Sequence, residues 1–399
     1  MGRRTNLDEE PAPPRHVLTL NGGSSSIKFA IYLWGFTLLL KGKIDRIGTA
    51  GCVLEFQRTG GKKESHRLGK DAKAADALLS WLAEQPEFAA VDRVGHRVVH
   101  GMHHSEPERV TPKLLRELRQ IVPFDPEHLP LEIELMEACK QRYPKLKQLA
   151  CFDTAFHRTM PTFAKVVPIP LRYRKLGVER YGFHGISYSY LFEQLKRINP
   201  KEAFGRVVYA HLGNGASLAA VLAGKCVDTT MGFTPGSGLV MGTRTGDIDP
   251  GLAYFLSRTE GMTPAQFQHM ANHESGLLGI SGISSDVRDL RASKDPRAFE
   301  AIQVFGYQAA KSIAAMAAAL GGIDSLVFSG GIGENDWQIR AAICRRLRFL
   351  GVRILDSRNR KNAELISVHP STVQVRIIPT DEERMIAGTV GCFPPFNRR

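Results

Sequence analysis

Short apolar runs separated by polar punctuation dominate the first fifty residues. Val17 to Leu20 and Ile27 to Leu33 are rich in β-branched and aromatic residues, and "NGGSSS" lies between them. Apolar runs of this length, bounded by glycine and serine, read as strands. The segment therefore predicts a hairpin in which the glycines supply positive φ and close backbone approach, while serine hydroxyls and free N–H groups face a ligand. Phe36 to Ile44 predicts a third strand. The same order returns in "RVVYAHLGNGASLAAVLAGKCVD", Arg206 to Asp228, where "NGAS" at Asn214 to Ser217 aligns with "NGGS" at Asn21 to Ser24. This repeat predicts two related halves, each opening on a β-meander and continuing into helices. "ADALLSWLAEQ" followed by "VDRVGHRVVHG" adds alternating helix and strand, and hence α/β layers.

The longest apolar periodic segment, Ile302 to Leu320, is interrupted by Gln303, Gln308 and Lys311, so it reads as a buried helix and not as a membrane span. A third glycine-rich stretch, "DSLVFSGGIGEN", leads from a buried strand at Ser325 to Ser329 through Gly330, Gly331 and Gly333 into a helix expected over Glu334 to Leu350. A strand-to-helix turn of this kind aims N–H groups and the positive helix end at an anion. It fits neither G-x-x-x-x-G-K-[ST] nor G-x-G-x-x-G, and taken alone it reads equally well as an ordinary turn. With the two hairpins it predicts a polyphosphate cleft between related halves.

Composition narrows the class. A chain of 399 residues, 43% hydrophobic, is long enough for more than one buried core. Met1 to His16 is charged and proline-rich without an apolar stretch, which predicts a disordered extension and no signal peptide. Six cysteines without C-x-x-C spacing read as reduced packing residues. The net charge of +13 is spread along the chain, so a diffuse basic surface or attraction for anionic substrates is expected in place of nucleic-acid binding.

Several segments carry chemistry suited to phosphoryl transfer, which needs positive charge around the moving group, an oxygen-held metal and a positioned acceptor. In "VGHRVVHG", Arg97 lies between His96 and His100, either to grip a carboxylate or as an exposed strand arginine. Asp153 in "CFDTAFHRTMP" ends a strand, where a carboxylate serves as metal ligand, base or helix cap. His184 stands between Gly182 and Gly185 beside Phe183, as a loop histidine with either a functional or a structural task. "MGFTPGSGLVMGTRTGDIDPG" predicts a long irregular stretch holding Arg244, with Asp249 and Pro250 starting the next helix. Asp286 and Arg288 in "SGISSDVRDL" suit ribose and phosphate contacts or a capped helix start. Glu382 and Glu383 in "IIPTDEERMIA" suit a metal or simply the first turn of the last helix.

Together these segments resemble the acetate kinase family of the actin-like and sugar-kinase superfamily, from about Val17 to Ala387. The resemblance rests on "NGGSSSIK", "GHRVVHG", "FDTAFHRTMP", "YGFHGIS", "HLGNGAS", "MGFTP" with "MGTRTGDIDPG", "SGISSDVRDL", "GGIGEN" and "PTDEERMIA". It implies an α/β, duplicated ribonuclease-H-like fold with an interdomain active-site cleft. The boundaries it implies are an extension at 1–15, an N-terminal domain at 16–153 joined by 384–399, and a nucleotide-binding domain at 154–383. It implies Mg2+, with Mn2+ able to stand in, and reversible transfer between ATP and a short-chain acid to give an acyl phosphate such as acetyl phosphate and ADP. It also implies a cytoplasmic homodimer without membrane or nucleic-acid partners.

By position, the resemblance assigns Asn21 and Glu382 to the metal and Lys28 to ATP. Arg97 takes the substrate carboxylate, with Val99, Phe183 and Pro235 around the acid. Asp153 is the catalytic aspartate, and His184 and Arg244 steady the transferring group. The nucleotide falls to His211, Leu212, Gly213, Asn214 and Gly215, to Asp286, Val287 and Arg288, and to Gly331, Ile332, Gly333, Glu334 and Asn335. Val99 implies a small acid.

The chain departs from the family pattern at "DPEHLP", which keeps His128 but places Glu127 where an apolar residue often stands. It departs again at Tyr188, where a histidine is frequent, and at "TPGSG". Propionate or another short acid is the alternative substrate. A non-catalytic actin-like ATP-binding protein would have no use for Arg97, His184 and Arg244.

Overall fold

The computed structural model describes residues 16–23, 26–34, 37–69 and 73–393. The expected extension at 1–15, together with Ser24, Ser25 and Phe36, lies outside the described residues. Two compact units emerge, Met1–Phe152 with Glu382–Arg399, and Asp153–Asp381. Relative to the boundaries read from sequence, Asp153 falls in the second unit and Glu382 and Glu383 in the first. The reason is local bonding: Asp153 Oδ1 accepts from the Ile186 amide, whereas both glutamates accept from Asn21.

The first unit is built on β1 (His16–Gly22), β2 (Ser26–Leu33), β3 (Thr37–Asp45), β4 (Val53–Arg58), β5 (Lys63–Arg67), β6 (Val91–Val98), β7 (Glu108–Arg109) and β8 (Lys147–Phe152). They form one sheet in the order β5-β4-β3-β2-β1-β6-β8-β7. Leu18, Leu20, Ile27, Phe29 and Ile31 pack with Leu78, Leu79 and Leu82 of the helix Ala74–Ala83 and with Leu135 of the helix Leu129–Arg142. The helix Glu382–Cys392 closes over β1 and β6, where Gly95 leaves room: a methyl group there would overlap Ile386 and Val390. Arg93 fixes the end of that helix by donating to the Val390 carbonyl at 2.8 Å.

The second unit carries β9 (Arg206–Leu212), β10 (Ala216–Leu222), β11 (Lys225–Thr229), β12 (Ser325–Ser329) and β13 (Gln374–Ile377), in the order β11-β10-β9-β12-β13. In both sheets an antiparallel meander leads onto two parallel strands: β1 pairs with β6 and β6 with β8, as β9 pairs with β12 and β12 with β13. The repeat of "NGGS" and "NGAS" thus marks a duplicated sheet topology. The buried helix expected near Ile302 runs over Pro296–Ala319, burying Ile302, Phe305, Ile313 and Met316 and exposing Gln303 and Lys311. Between β11 and the helix Gly251–Thr259 lies the irregular stretch predicted around Arg244.

Two expectations about glycine are corrected. Neither Gly22 nor Gly23 has positive φ; β1 continues through Gly22, which pairs with Ile27, and a Cβ there would lie 3.3 Å from Leu135 Cδ1. Gly22 therefore serves close packing. "GGIGEN" is not a turn into one long helix but a short helix, Gly330–Asn335, followed at Asp336 by a second, Trp337–Arg346. Glu334 winds it by accepting from the Gly330 amide at 2.9 Å and the Thr380 amide at 3.1 Å. Gly330 itself has φ 76°, with a Cβ position 2.7 Å from the Leu212 carbonyl oxygen, so no larger residue fits.

Of the six cysteines, five are buried and Cys392 is exposed, all as free thiols. Among the described residues, no helix is long and apolar enough to cross a membrane.

Candidate active site

In the first unit one carboxamide ties a cation to two acids. Asn21, at the end of β1, accepts from Arg97 Nη1 at 3.1 Å and donates through Nδ2 to Glu382 at 3.0 Å and Glu383 at 3.1 Å. The parallel pairing of β1 with β6 sets this up, since Leu20 lies opposite His96. Burial raises the Glu383 carboxyl above its ordinary value, while Lys28, opposite Asn21 on β2, pulls the other way. Lys28 is otherwise exposed between buried Ile27 and Phe29.

Val99 is buried just past β6, and its amide donates to both carboxylate oxygens of Glu132 at 3.1 Å. Glu132 was not picked out from sequence, although its signal was present: it lies on the same apolar face as Leu129, Ile133 and Met136. A buried acid on such a face needs a donor, and the Val99 amide supplies it. His128 is buried and bonded to Asp125 at 2.8 Å, whereas Glu127 is half-buried.

The two residues expected at the metal meet directly: Asn21 Nδ2 donates to Glu382, and the Asn21 carboxamide oxygen accepts from Arg97. Among the described residues no group of three or more His, Cys, Asp or Glu side chains could hold a metal. A single carboxylate suits Mg2+, which keeps several waters and is usually held by one or two carboxylates plus substrate phosphates.

In the second unit, Asp153 is fully buried at the end of β8 and accepts from the Ile186 amide at 3.4 Å. His184 precedes the helix Gly185–Ile198 in the left-handed region, φ 58°. Its Nδ1 is 2.8 Å from Ser217 Oγ, and its ring stacks on His211 with centroids 4.3 Å apart. A Cβ on Gly215 would lie 3.2 Å from His184 Nε2 and 4.0 Å from Arg244 Nη1. The imidazole and the guanidinium thus converge over Gly215.

Arg244 Nη1 also donates to the Pro235 carbonyl at 3.3 Å. Its loop is pinned by backbone bonds from Leu277 to Met241 and from Ser275 to Thr243, both 2.9 Å, anchors that sequence reasoning missed. Phe183 is buried, and its carbonyl accepts from His157 Nε2 at 2.9 Å.

The nucleotide-binding expectations meet in a cavity of about 780 Å³ lined by Gly213, Asn214, Ser285, Asp286, Val287, Arg288, Gly331, Ile332, Asn335 and Asp336. Three segments far apart in sequence therefore share one wall. Not every expected residue lines it: Leu212 is buried in β9, His211 bonds Ser187 at 2.9 Å, Glu334 braces its own helix, and Gly215 and Gly333 lie outside the lining. Asp286 caps the helix Val287–Ala292 and pairs with Arg288 at 2.5 Å, which lowers its pKa. Ser285 and Asp336 join the lining without having been anticipated.

A sheet topology used twice, a ligand-sized cavity with Asn214 in its wall, and an arginine and a histidine converging over the adjacent Gly215 suit a kinase of the duplicated actin-like fold. The sequence profile of the acetokinase family matches residues 16–388, and the chain belongs to that family. It is similar to the acetate kinase of Methylocella silvestris, 41% identical over 389 residues, covering 94% of this chain and 96% of that one. It is also similar to the propionate kinase of Citrobacter rodentium, 40% identical over 385 residues, with the same coverage of each. The crystal structure of Porphyromonas gingivalis acetate kinase superposes with a TM-score of 0.86 at 35% identity, covering 94% of this chain and 98% of that one. The chain is accordingly a phosphotransferase with a carboxyl group as acceptor.

Proposed function

We propose that the chain catalyses reversible phosphorylation of acetate by ATP, giving acetyl phosphate and ADP, and that the residue sets of both units serve this one reaction. The observation that carries the proposal is the 780 Å³ cavity shared by the three glycine- and aspartate-bearing segments. Its volume lies within the few hundred to about 1,000 Å³ typical of ligand pockets. The small acid is supported by buried Val99, and the acceptor type by family membership.

A carboxylate is already a nucleophile, so no strong base is needed; the difficulty is bringing one anion up to another. In the proposed step a carboxylate oxygen bonds to the γ-phosphorus as the bond to the β–γ bridging oxygen breaks, and ADP departs with that electron pair. Arg97 holds the acid by its carboxylate. Arg244 and His184 donate to the equatorial phosphoryl oxygens, and buried Asp153 keeps the groups in line. Mg2+ bound with the nucleotide supplies charge neutralisation, and Glu382 is the carboxylate that would hold it. Loss of Arg97 or Arg244 is expected to lower turnover by two to four orders of magnitude, about 3–5 kcal/mol of barrier.

The test is hydroxylamine trapping of acyl phosphate from ATP and acetate, with propionate, GTP and pyrophosphate in parallel. Acetyl hydroxamate formed with ATP is the expected result, and its absence with every short acid would overturn the proposal. Propionate is the second reading, favoured by the similarity to a propionate kinase. A homodimer and a cytoplasmic location complete the proposal. The dimer is what the family resemblance implies, and light scattering would measure it.

A further inference from the structure

We infer that Tyr188 and Ser217 form a hydrogen-bond relay that holds His184 in the neutral tautomer with its proton on Nε2, making Tyr188 a positioning residue for phosphoryl transfer. The inference rests on the reading of His184 as a phosphoryl contact.

Tyr188 and Ser217 are both fully buried, and the Tyr188 hydroxyl lies 2.5 Å from Ser217 Oγ, its hydrogen-bond partner among the described residues. Burial holds the phenol in its protonated form. The Tyr188 proton therefore points to Ser217, and Ser217 accepts it. The remaining Ser217 partner is His184 Nδ1 at 2.8 Å, so the serine proton points there. A nitrogen that accepts carries no proton, so the His184 proton sits on Nε2. That is the nitrogen facing the point above Gly215, with Arg244 Nη1 on the other side.

The secondary structure explains why the relay is rigid. Tyr188 lies one turn into the helix that His184 caps, and its ring is wedged among Phe156, His157 and Tyr209. Ser217 is fixed on β10 opposite His211 of β9. Among the groups that face His184 are Ser217, the stacked His211 ring and Arg244, with the Asp153 carboxylate at the start of the same helix. The Arg244 guanidinium disfavours a second cation beside it while the Asp153 carboxylate acts in the opposite sense, so it is the bond from Ser217 to Nδ1 that sets the neutral donor form. Such a histidine donates to phosphoryl oxygens without an added proton.

Tyr188→Phe removes one oxygen and keeps the ring, while Ser217→Ala deletes the link itself. The test uses the full-length protein with 15N-labelled histidine, His184 being assigned by its loss in His184→Gln. The expected spectrum shows the Nε2–H tautomer for His184 in the unaltered protein and a mixture in both variants. Turnover is expected to fall roughly three- to tenfold in Tyr188→Phe and about tenfold or more in Ser217→Ala, with KM for the acid within about twofold. The double variant is expected to be no slower than Ser217→Ala alone, because both changes cut one chain.

A proton on Nδ1 in the unaltered protein, or variant losses that multiply, would overturn the relay. So would an unaltered tautomer in Ser217→Ala. Normal turnover in His184→Gln would instead remove the assigned role of His184, while the spectrum still decides the tautomer.

Discussion

The α-carbon of Gly185 rests against the backbone carbonyl of Asp153, so closely that a methyl group on Gly185 would overlap that oxygen. Asp153 answers by accepting the next amide, that of Ile186, so that the segment opening at Asp153 is locked to the start of a helix of the same unit. His184 is held at that junction in a left-handed conformation. Gly185→Ala must therefore push apart the two segments that carry Asp153 and His184. We expect a fall in turnover of at least about 100-fold, with roughly 2–4 kcal/mol of destabilisation, because overpacking against backbone cannot be relieved by a rotamer change. Thermal melts and steady-state rates on the same preparation measure both; near-normal values would show that the junction yields.

Removing the charge of Asp153 acts differently, since Asp153→Asn preserves size. Turnover is expected to drop by two orders of magnitude or more, and apparent affinity for ATP and acid by less than about fivefold, as for a group that acts mainly in the transition state. Near-normal turnover would reduce Asp153 to a structural partner of the Ile186 amide.

Acid should weaken the protein through two buried histidines. Burial lowers the pKa of His96, in the first unit, and of His157, in the second, each to about 4 from an ordinary 6.5. A depressed folded-state value means that the unfolded chain binds protons first. The stability contribution is thus complete above about pH 6.5 and is lost as pH falls toward 4, at up to about 1.4 kcal/mol per pH unit for each group. Melting temperature is expected to decline across that window, and His96→Gln to make the decline shallower. An identical slope in His96→Gln would clear His96 of the effect.

Glu127 is the sequence departure with a plain chemical consequence. Were its carboxylate to line the acid pocket, it would repel a carboxylate substrate; half-buried in a proline-flanked segment, it is expected to face elsewhere. Glu127→Leu is then expected to change the ratio of kcat/KM for acetate and propionate by less than about tenfold, or about 1.4 kcal/mol. A strong hydroxy-acid preference that vanishes in the leucine variant would assign specificity to Glu127.

What could be read from the residues was periodic or repeated. The short apolar runs at Val17 to Leu20 and Ile27 to Leu33 located β1 and β2, and "NGAS" located their counterparts β9 and β10. What escaped depended on partners remote in sequence. Gly22 looks like a turn residue until Leu135 is seen beside it, and the glycines of "GGIGEN" look too loose for a helix until Glu334 bonds the Gly330 and Thr380 amides. Glu132 carries no motif of its own, and nothing in "NGAS" or in the departure at Tyr188 says what Ser217 and Tyr188 bond to. Their roles come from the backbone amide, hydroxyl or ring nitrogen that each meets.

The helix Glu382–Cys392 that covers Gly95 also fixes an order of events during synthesis. A ribosome delivers every strand of the first unit before any of the second, yet the groove over β1 and β6 stays uncovered until residues 382–392, which follow the whole second unit, are made. The second unit, continuous from Asp153 to Asp381, is under no such delay. The part made first is thus the part finished last. A nascent chain arrested before residue 382 would carry an open apolar surface at Gly95 and an Arg97–Asn21 pair lacking both glutamates.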